Sequence, residues 1–223
     1  MNIHDREGVV KYELVFEHKS SLDAANLDTL IAWRTVLYRL RLIGQDPERY
    51  AGLGFGNISQ KLETPVTSGA KCRFAISGTQ TGTAERLTWS QFSIVSDFCI
   101  RRNQIVAEGT VKPSSEALTH AAVYQARPDI RFVMHVHSPE IWQASLELDI
   151  PAIDRTIAYG TPEMARAVQS LVLSRENPFG IFSMLGHEDG IVAYADRADI
   201  AGNLLIDTLA DALTLSFARQ SKP

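Results

Sequence analysis

The segment from Arg131 to His137 reads Arg-Phe-Val-Met-His-Val-His, and no other stretch constrains the fold as tightly. Its apolar, β-favouring character specifies a strand, and a strand sends alternate side chains to opposite faces. Val133, His135 and His137 therefore share one face, while Phe132, Met134 and Val136 line the other. Each of two imidazoles on one face needs partners for two ring nitrogens. A shared divalent cation is an economical partner for both, and a third imidazole from elsewhere leaves one position open for substrate. The plainer alternative is a pair of core or surface histidines that share a face and no ion.

A candidate third donor, His187, lies in the segment from Met184 to Gly190. Upstream, Glu116 closes the run Lys112, Pro113, Ser114, Ser115, Glu116. A carboxylate in a first helical turn is favoured by the helix dipole without any other purpose. Here, however, Ser114 and Ser115 would present hydroxyl and backbone N–H groups at the same helix start, which is a natural anion site. Gly56, Asn57 and the turn from Ile76 to Gly82 offer further donors, each weak evidence alone because such turns are common. His120 follows Glu116 by one helical turn and is expected to be exposed or to serve packing. Glu188 and Asp189 are expected to shape the loop after His187 and not to ligate. Imidazole suits zinc, iron, nickel, cobalt and, less readily, manganese, and the residues do not choose among them.

The formal net charge of -4, without any Lys/Arg cluster, argues against nucleic acid as the main partner. Cys72 and Cys99 are too few for a disulfide framework or a thiolate zinc site. No stretch approaches the roughly 20 apolar residues of a membrane span, and the first residues lack the apolar core of a signal peptide. A cytoplasmic protein with no membrane partner is expected.

Residues 1–20 read as a polar, flexible N-terminal arm and residues 21–223 as one domain. Leu27, Leu30, Ile31, Leu37 and Leu40 recur at helical spacing between Asn26 and Gly44. Strands are predicted over 71–77, 93–100 and 104–108, then a helix from 117 that stops before Pro128. After the histidine strand come a helix over 162–174, strands over 181–185 and 190–194, and a terminal helix over about 197–219. This order predicts an α/β chain of the α+β type, a single domain whose central, mostly antiparallel sheet is flanked by helices.

Taken together and in order, these residues resemble the class II aldolase/adducin family. The matching motifs are Gly56 to Ser59, the strand end Ile76 to Gly78, Pro113 to Glu116, His135 to Pro139, and His187, spread over about residues 27 to 215. The resemblance implies a sheet with helices on both faces, a homotetramer, and a metal-dependent aldolase or lyase. The substrate would be a small hydroxycarbonyl compound, a sugar phosphate, cleaved through a metal-stabilised enediolate. It implies one divalent cation per chain, zinc first among the candidates, on His135, His137 and His187. Glu116 would be the general acid/base, and Gly56, Asn57, Ser77, Gly78, Ser114 and Ser115 would hold the substrate phosphate.

Three departures from the family pattern stand out. Glu188 and Asp189 intervene between His187 and Gly190; the turn from Ser77 to Gly82 is long, so that Thr81 and Gly82 are an alternative phosphate contact; and a family tyrosine after an Ile-Pro-Ala-Ile stretch is replaced by Asp154 and Arg155, with Tyr159 beyond. Epimerase and dehydratase activities use the same chemistry and remain alternatives, as does a non-catalytic adducin-like scaffold, against which the three histidines argue. A cupin would place its glutamate further beyond the second histidine than Glu140 lies.

Overall fold

The computed structural model describes residues 9–20, 26–62 and 72–220. Among them the strands β1 (Glu13–His18), β2 (Gly44–Gln45), β3 (Gly54–Phe55), β4 (Asn57–Lys61), β5 (Phe74–Ser77), β6 (Phe92–Cys99), β7 (Gln104–Gly109), β8 (Phe132–His137), β9 (Ala152–Ile153), β10 (Gly180–Met184) and β11 (Gly190–Ala195) alternate with helices. The helices are α1 (Asp28–Arg39), α2 (Ala117–Ala126), α3 (Pro139–Ala144), α4 (Pro162–Leu173) and α5 (Ala198–Gln220). The main sheet runs β1-β7-β6-β5-β4-β8-β11-β10-β9. It is antiparallel except at its two edges, where β1 joins β7 and β9 joins β10 in parallel.

β8 sits at the centre of this sheet, between β4 and β11. Its alternation is as predicted. Val133 belongs to the core on the face covered by α2 and α4, with Ile76, Leu118, Val168 and Phe182. Met134 and Val136 belong to the opposite core, with Leu30, Leu37, Ile141 and Leu205 from α1, α3 and α5. Helices therefore cover both faces. α2 is buried nearly all round because it is wedged between the sheet and α4, the position in which a helix can be apolar on every side.

Two expectations are corrected. Part of the N-terminal arm is ordered structure: residues 13–18 form β1, in register with β7 from Glu13 opposite Gln104 to His18 opposite Gly109. The physical reason is a short alternating pattern in which Tyr12, Leu14 and Phe16 reach the core while Glu13 and Glu17 face out. Residues 1–8, and Lys71 of the strand predicted over 71–77, lie outside the described residues. The second correction concerns α5, which by length and composition is apolar enough to span a membrane. Packing accounts for only part of that composition: α5 lies against α1, α3 and the strands β8, β10 and β11, and at Gly202 it comes so close to Trp33 that a Cβ would meet the ring at 2.2 Å, yet 28% of its apolar window is buried.

Candidate active site

Where β8 leaves the apolar core its last two inward positions are His135 and His137, both fully buried. His187 joins them from the turn between β10 and β11. Their candidate donor atoms all lie within 4.8 Å of one another, and the Nε2 atoms of His135 and His137 are 3.1 Å apart. His135 Nδ1 lies 3.2 Å from the Ile191 carbonyl oxygen. A carbonyl only accepts, so Nδ1 carries the proton and the Nε2 lone pair faces the cluster. Burial, then the neighbouring His187 and Arg49, holds His137 well below the usual imidazole range. Three convergent imidazoles are a donor set that fits a divalent cation.

The turn that carries His187 is tight. His187 N–H donates to Met184 O at 2.9 Å, Gly190 N–H donates to His187 O at 3.0 Å, and Asp189 adopts φ 60°. Glu188 and Asp189 complete this turn and fall outside the group of candidate ligands found among the described residues, His135, His137 and His187. The Asp189 carboxylate accepts a bond from the Tyr50 hydroxyl at 2.6 Å. Arg49 Nη2 donates to that hydroxyl at 2.8 Å, and the Tyr50 ring stands edge-on to His137 at 4.8 Å. On the other side Tyr159 stacks on His187, 4.3 Å between centroids and 16° between planes, with the Lys11 ammonium 3.5 Å from the Tyr159 centroid.

Glu116 occupies the N-cap of α2 and is 1% exposed. Its Oε2 accepts from the Thr119 hydroxyl at 2.9 Å, and its Oε1 is 3.9 Å from His187 Nδ1. The carboxylate thus stands beside the histidine cluster, where a proton donor or acceptor would be useful. Ser114 Oγ accepts from Glu116 N–H at 3.3 Å, and the Ser114 N–H donates to Ser77 O at 3.2 Å.

A cavity lined by Asn57, Ser77, Thr81, Gly82 and Ser115 reaches the residue that precedes Glu116 in the chain. Gly56 delivers Asn57 to it. Gly56 has φ +72°, a Cβ there would strike Ile43 at 2.7 Å, and Asn57 lies in register opposite His135. The buried Asn57 Oδ1 has no hydrogen-bond partner among the described residues. Ser77 Oγ accepts from Ile58 N–H at 3.1 Å, which leaves its proton to donate. Gly78 is in the wall for its lack of a side chain: its N–H is taken by Gln91 O at 2.8 Å, and a Cβ would meet Val111 at 2.4 Å. Of these groups the Ser77 hydroxyl has a proton to offer an anion, and the lining also includes the Arg34 guanidinium.

His120 is fully buried, and it lies outside this cavity's lining. Its Nδ1 is 2.6 Å from Ser59 Oγ, which also meets the Tyr124 hydroxyl at 2.7 Å. Burial pushes its pKa down to about 3. Sequence reasoning missed Arg34, Arg49, Tyr50, Lys11 and Tyr12. Only Arg34 left a signal, since it fills the one gap in the buried stripe of α1 made by Leu30, Ile31 and Leu37.

A family model described as the Class II Aldolase and Adducin N-terminal domain matches residues 46–176. A 60-residue stretch is 42% identical to the 5-deoxy-D-ribulose 1-phosphate aldolase of Bacillus thuringiensis serovar kurstaki, covering 26% of this chain and 28% of that protein. In three dimensions the chain is similar to L-fuculose-1-phosphate aldolase from Thermus thermophilus, with TM-score 0.60 and 18% identity over 87% of this chain and 96% of the other. A sugar-phosphate aldolase from Thermotoga maritima superposes with TM-score 0.60 and 15% identity, covering 87% and 95% of the two chains.

Proposed function

Because the chain belongs to the class II aldolase and adducin family, we propose that it is a divalent-metal-dependent lyase that cleaves a small phosphorylated hydroxycarbonyl compound. The observation that carries this reading is the convergence of three buried histidines beside a buried carboxylate, whose two preceding serines line a cavity. The names of its relatives support a sugar phosphate as the substrate class.

His135, His137 and His187 would hold the cation through three nitrogens. What the cation supplies when bound is Lewis acidity toward adjacent carbonyl and hydroxyl oxygens of a substrate. Glu116 holds or releases the proton at the carbon beside that carbonyl, and Thr119 fixes its Oε2 so that Oε1 faces the histidines. Asn57, Ser77 and Ser115 orient the phosphate end, so the reacting carbons are presented to Glu116. Burial of all these groups excludes water and strengthens each polar contact.

The test is to incubate the metal-loaded enzyme with a panel of ketose 1-phosphates, including 5-deoxy-D-ribulose 1-phosphate and L-fuculose 1-phosphate, and to follow triose phosphate release. Cleavage of a member supports the reading. Epimer formation or water loss without cleavage reassigns the chemistry to an epimerase or a dehydratase. Absence of turnover together with absence of bound metal returns the chain to the scaffold reading. Asn57→Ala and Ser115→Ala should each raise KM roughly tenfold or more for a phosphorylated substrate. They should leave KM for its unphosphorylated counterpart unchanged.

A further inference from the structure

Arg34 is the largest fully buried side chain among the described residues, 1% exposed, on the inner face of α1. Its Nη1 donates to the carbonyl oxygens of Ala84 and, at 2.7 Å, Glu85, and its Nη2 donates to Thr81 O at 3.2 Å. Among the described residues no carboxylate pairs with it. Glu85, the acid nearest these carbonyls in the chain, turns its side chain outward onto Arg39 at 2.7 Å. The guanidinium is therefore held by carbonyl dipoles and by the Tyr38 ring, whose centroid lies 4.9 Å from its Cζ, and by no anion among the described residues. Carbonyl oxygens satisfy its hydrogen bonds without cancelling its charge, and a buried charge without a counterion is costly. Burial lowers its pKa to about 10, so the group remains a cation at neutral pH.

The same side chain lines the cavity formed by Asn57, Ser77, Thr81, Gly82 and Ser115. The other polar groups of that wall are neutral. A guanidinium has five N–H groups, and the three bonds to carbonyls leave two of them unused. We propose that Arg34 is the binding cation of this cavity and supplies the countercharge for a substrate phosphate, which in turn neutralises the buried guanidinium. The inference rests on the reading that the substrate is phosphorylated. It adds a residue of α1, upstream of the residues that the family model matches, to phosphate recognition. Its bonds to Thr81, Ala84 and Glu85 also tie the order of that cavity wall to the bound anion.

The experiment measures binding of inorganic phosphate by calorimetry to the full-length protein and to Arg34→Gln and Arg34→Lys, with folding checked by circular dichroism. Arg34→Gln should bind roughly tenfold or more weakly than the unchanged protein, and Arg34→Lys should retain most of the affinity at pH 7. A buried lysine loses its proton more readily than an arginine. Phosphate affinity of Arg34→Lys should therefore fall steeply toward pH 9, where the unchanged protein shows no such fall. This second arm stands alone if Arg34→Gln does not fold. Equal binding by the unchanged protein and folded Arg34→Gln, or a flat pH profile for Arg34→Lys, overturns the role of Arg34 and leaves the phosphorylated substrate intact. An unchanged protein that binds no phosphate overturns both.

Discussion

The Tyr12 hydroxyl donates to the Ser114 carbonyl oxygen at 2.8 Å. This bond ties a segment just before β1 to the loop that presents Ser115 and Glu116. Lys11, the preceding residue, holds Tyr159 through its ring face and its carbonyl oxygen, and Tyr159 stacks on His187. Two consecutive residues thus reach both the candidate base and the candidate third ligand. The Tyr12 phenol is buried, and its pKa is raised first by that burial and then by the charge of Glu116.

Removing that single hydroxyl should loosen the loop and leave the fold in place. Tyr12→Phe should cost about 1 kcal/mol of stability, the usual worth of one such bond. kcat should fall by about tenfold, because small misplacements of a reacting group are costly in rate. Denaturant unfolding and steady-state kinetics on the same protein check this. A normal kcat with the expected stability loss would make Tyr12 a packing residue only.

The three histidines should act as a unit. Alanine at His135, His137 or His187 should each remove most bound metal and most activity, measured by elemental analysis after purification and by turnover after metal addition. Independent stability losses of about 1–2 kcal/mol, without any metal in the unchanged protein, are what three ordinary buried histidines predict. Chelation should abolish turnover of the unchanged protein, and added divalent cation should restore it.

Glu116→Gln keeps the volume and the Thr119 contact but removes the base. Its kcat should fall roughly 100-fold or more while metal content is unchanged. A helix-cap role alone predicts a stability loss of about 1 kcal/mol with full activity. Comparing kcat with the melting temperature separates the two.

Acid should destabilise the protein through His120. Its folded pKa of about 3 lies below the ordinary 6.5, so between these values the unfolded chain holds a proton that the folded chain does not. Stability from this group is complete above about pH 6.5 and is lost as pH falls toward 3, at up to about 1.4 kcal/mol per pH unit. His120→Gln should flatten urea-derived stability against pH between 4 and 6 by one proton's worth. An unchanged slope would place the acid sensitivity elsewhere.

Much of the sheet was legible because its signals are local. The alternation from Phe132 to His137 set which side chains of β8 share a face, and the proline at Pro162 marked the start of α4. Period and cap chemistry act within a few residues, so the sequence by itself determined these elements and nominated Glu116 and the histidines. Where their neighbours come from was decided by contacts between distant segments. β1 pairs with β7 across some ninety residues of chain, and only that pairing turns a polar arm into an edge strand preceded by Lys11 and Tyr12. Asp189 looks like a spare acid beside His187 until the fold brings Tyr50 to its carboxylate. Arg34 breaks an apolar stripe in the sequence, and only packing of α1 against the 81–85 turn supplies the carbonyls that let a charge be buried there. Local pattern fixes which face a side chain takes; what waits on that face depends on long-range packing, and no short-range periodicity records it.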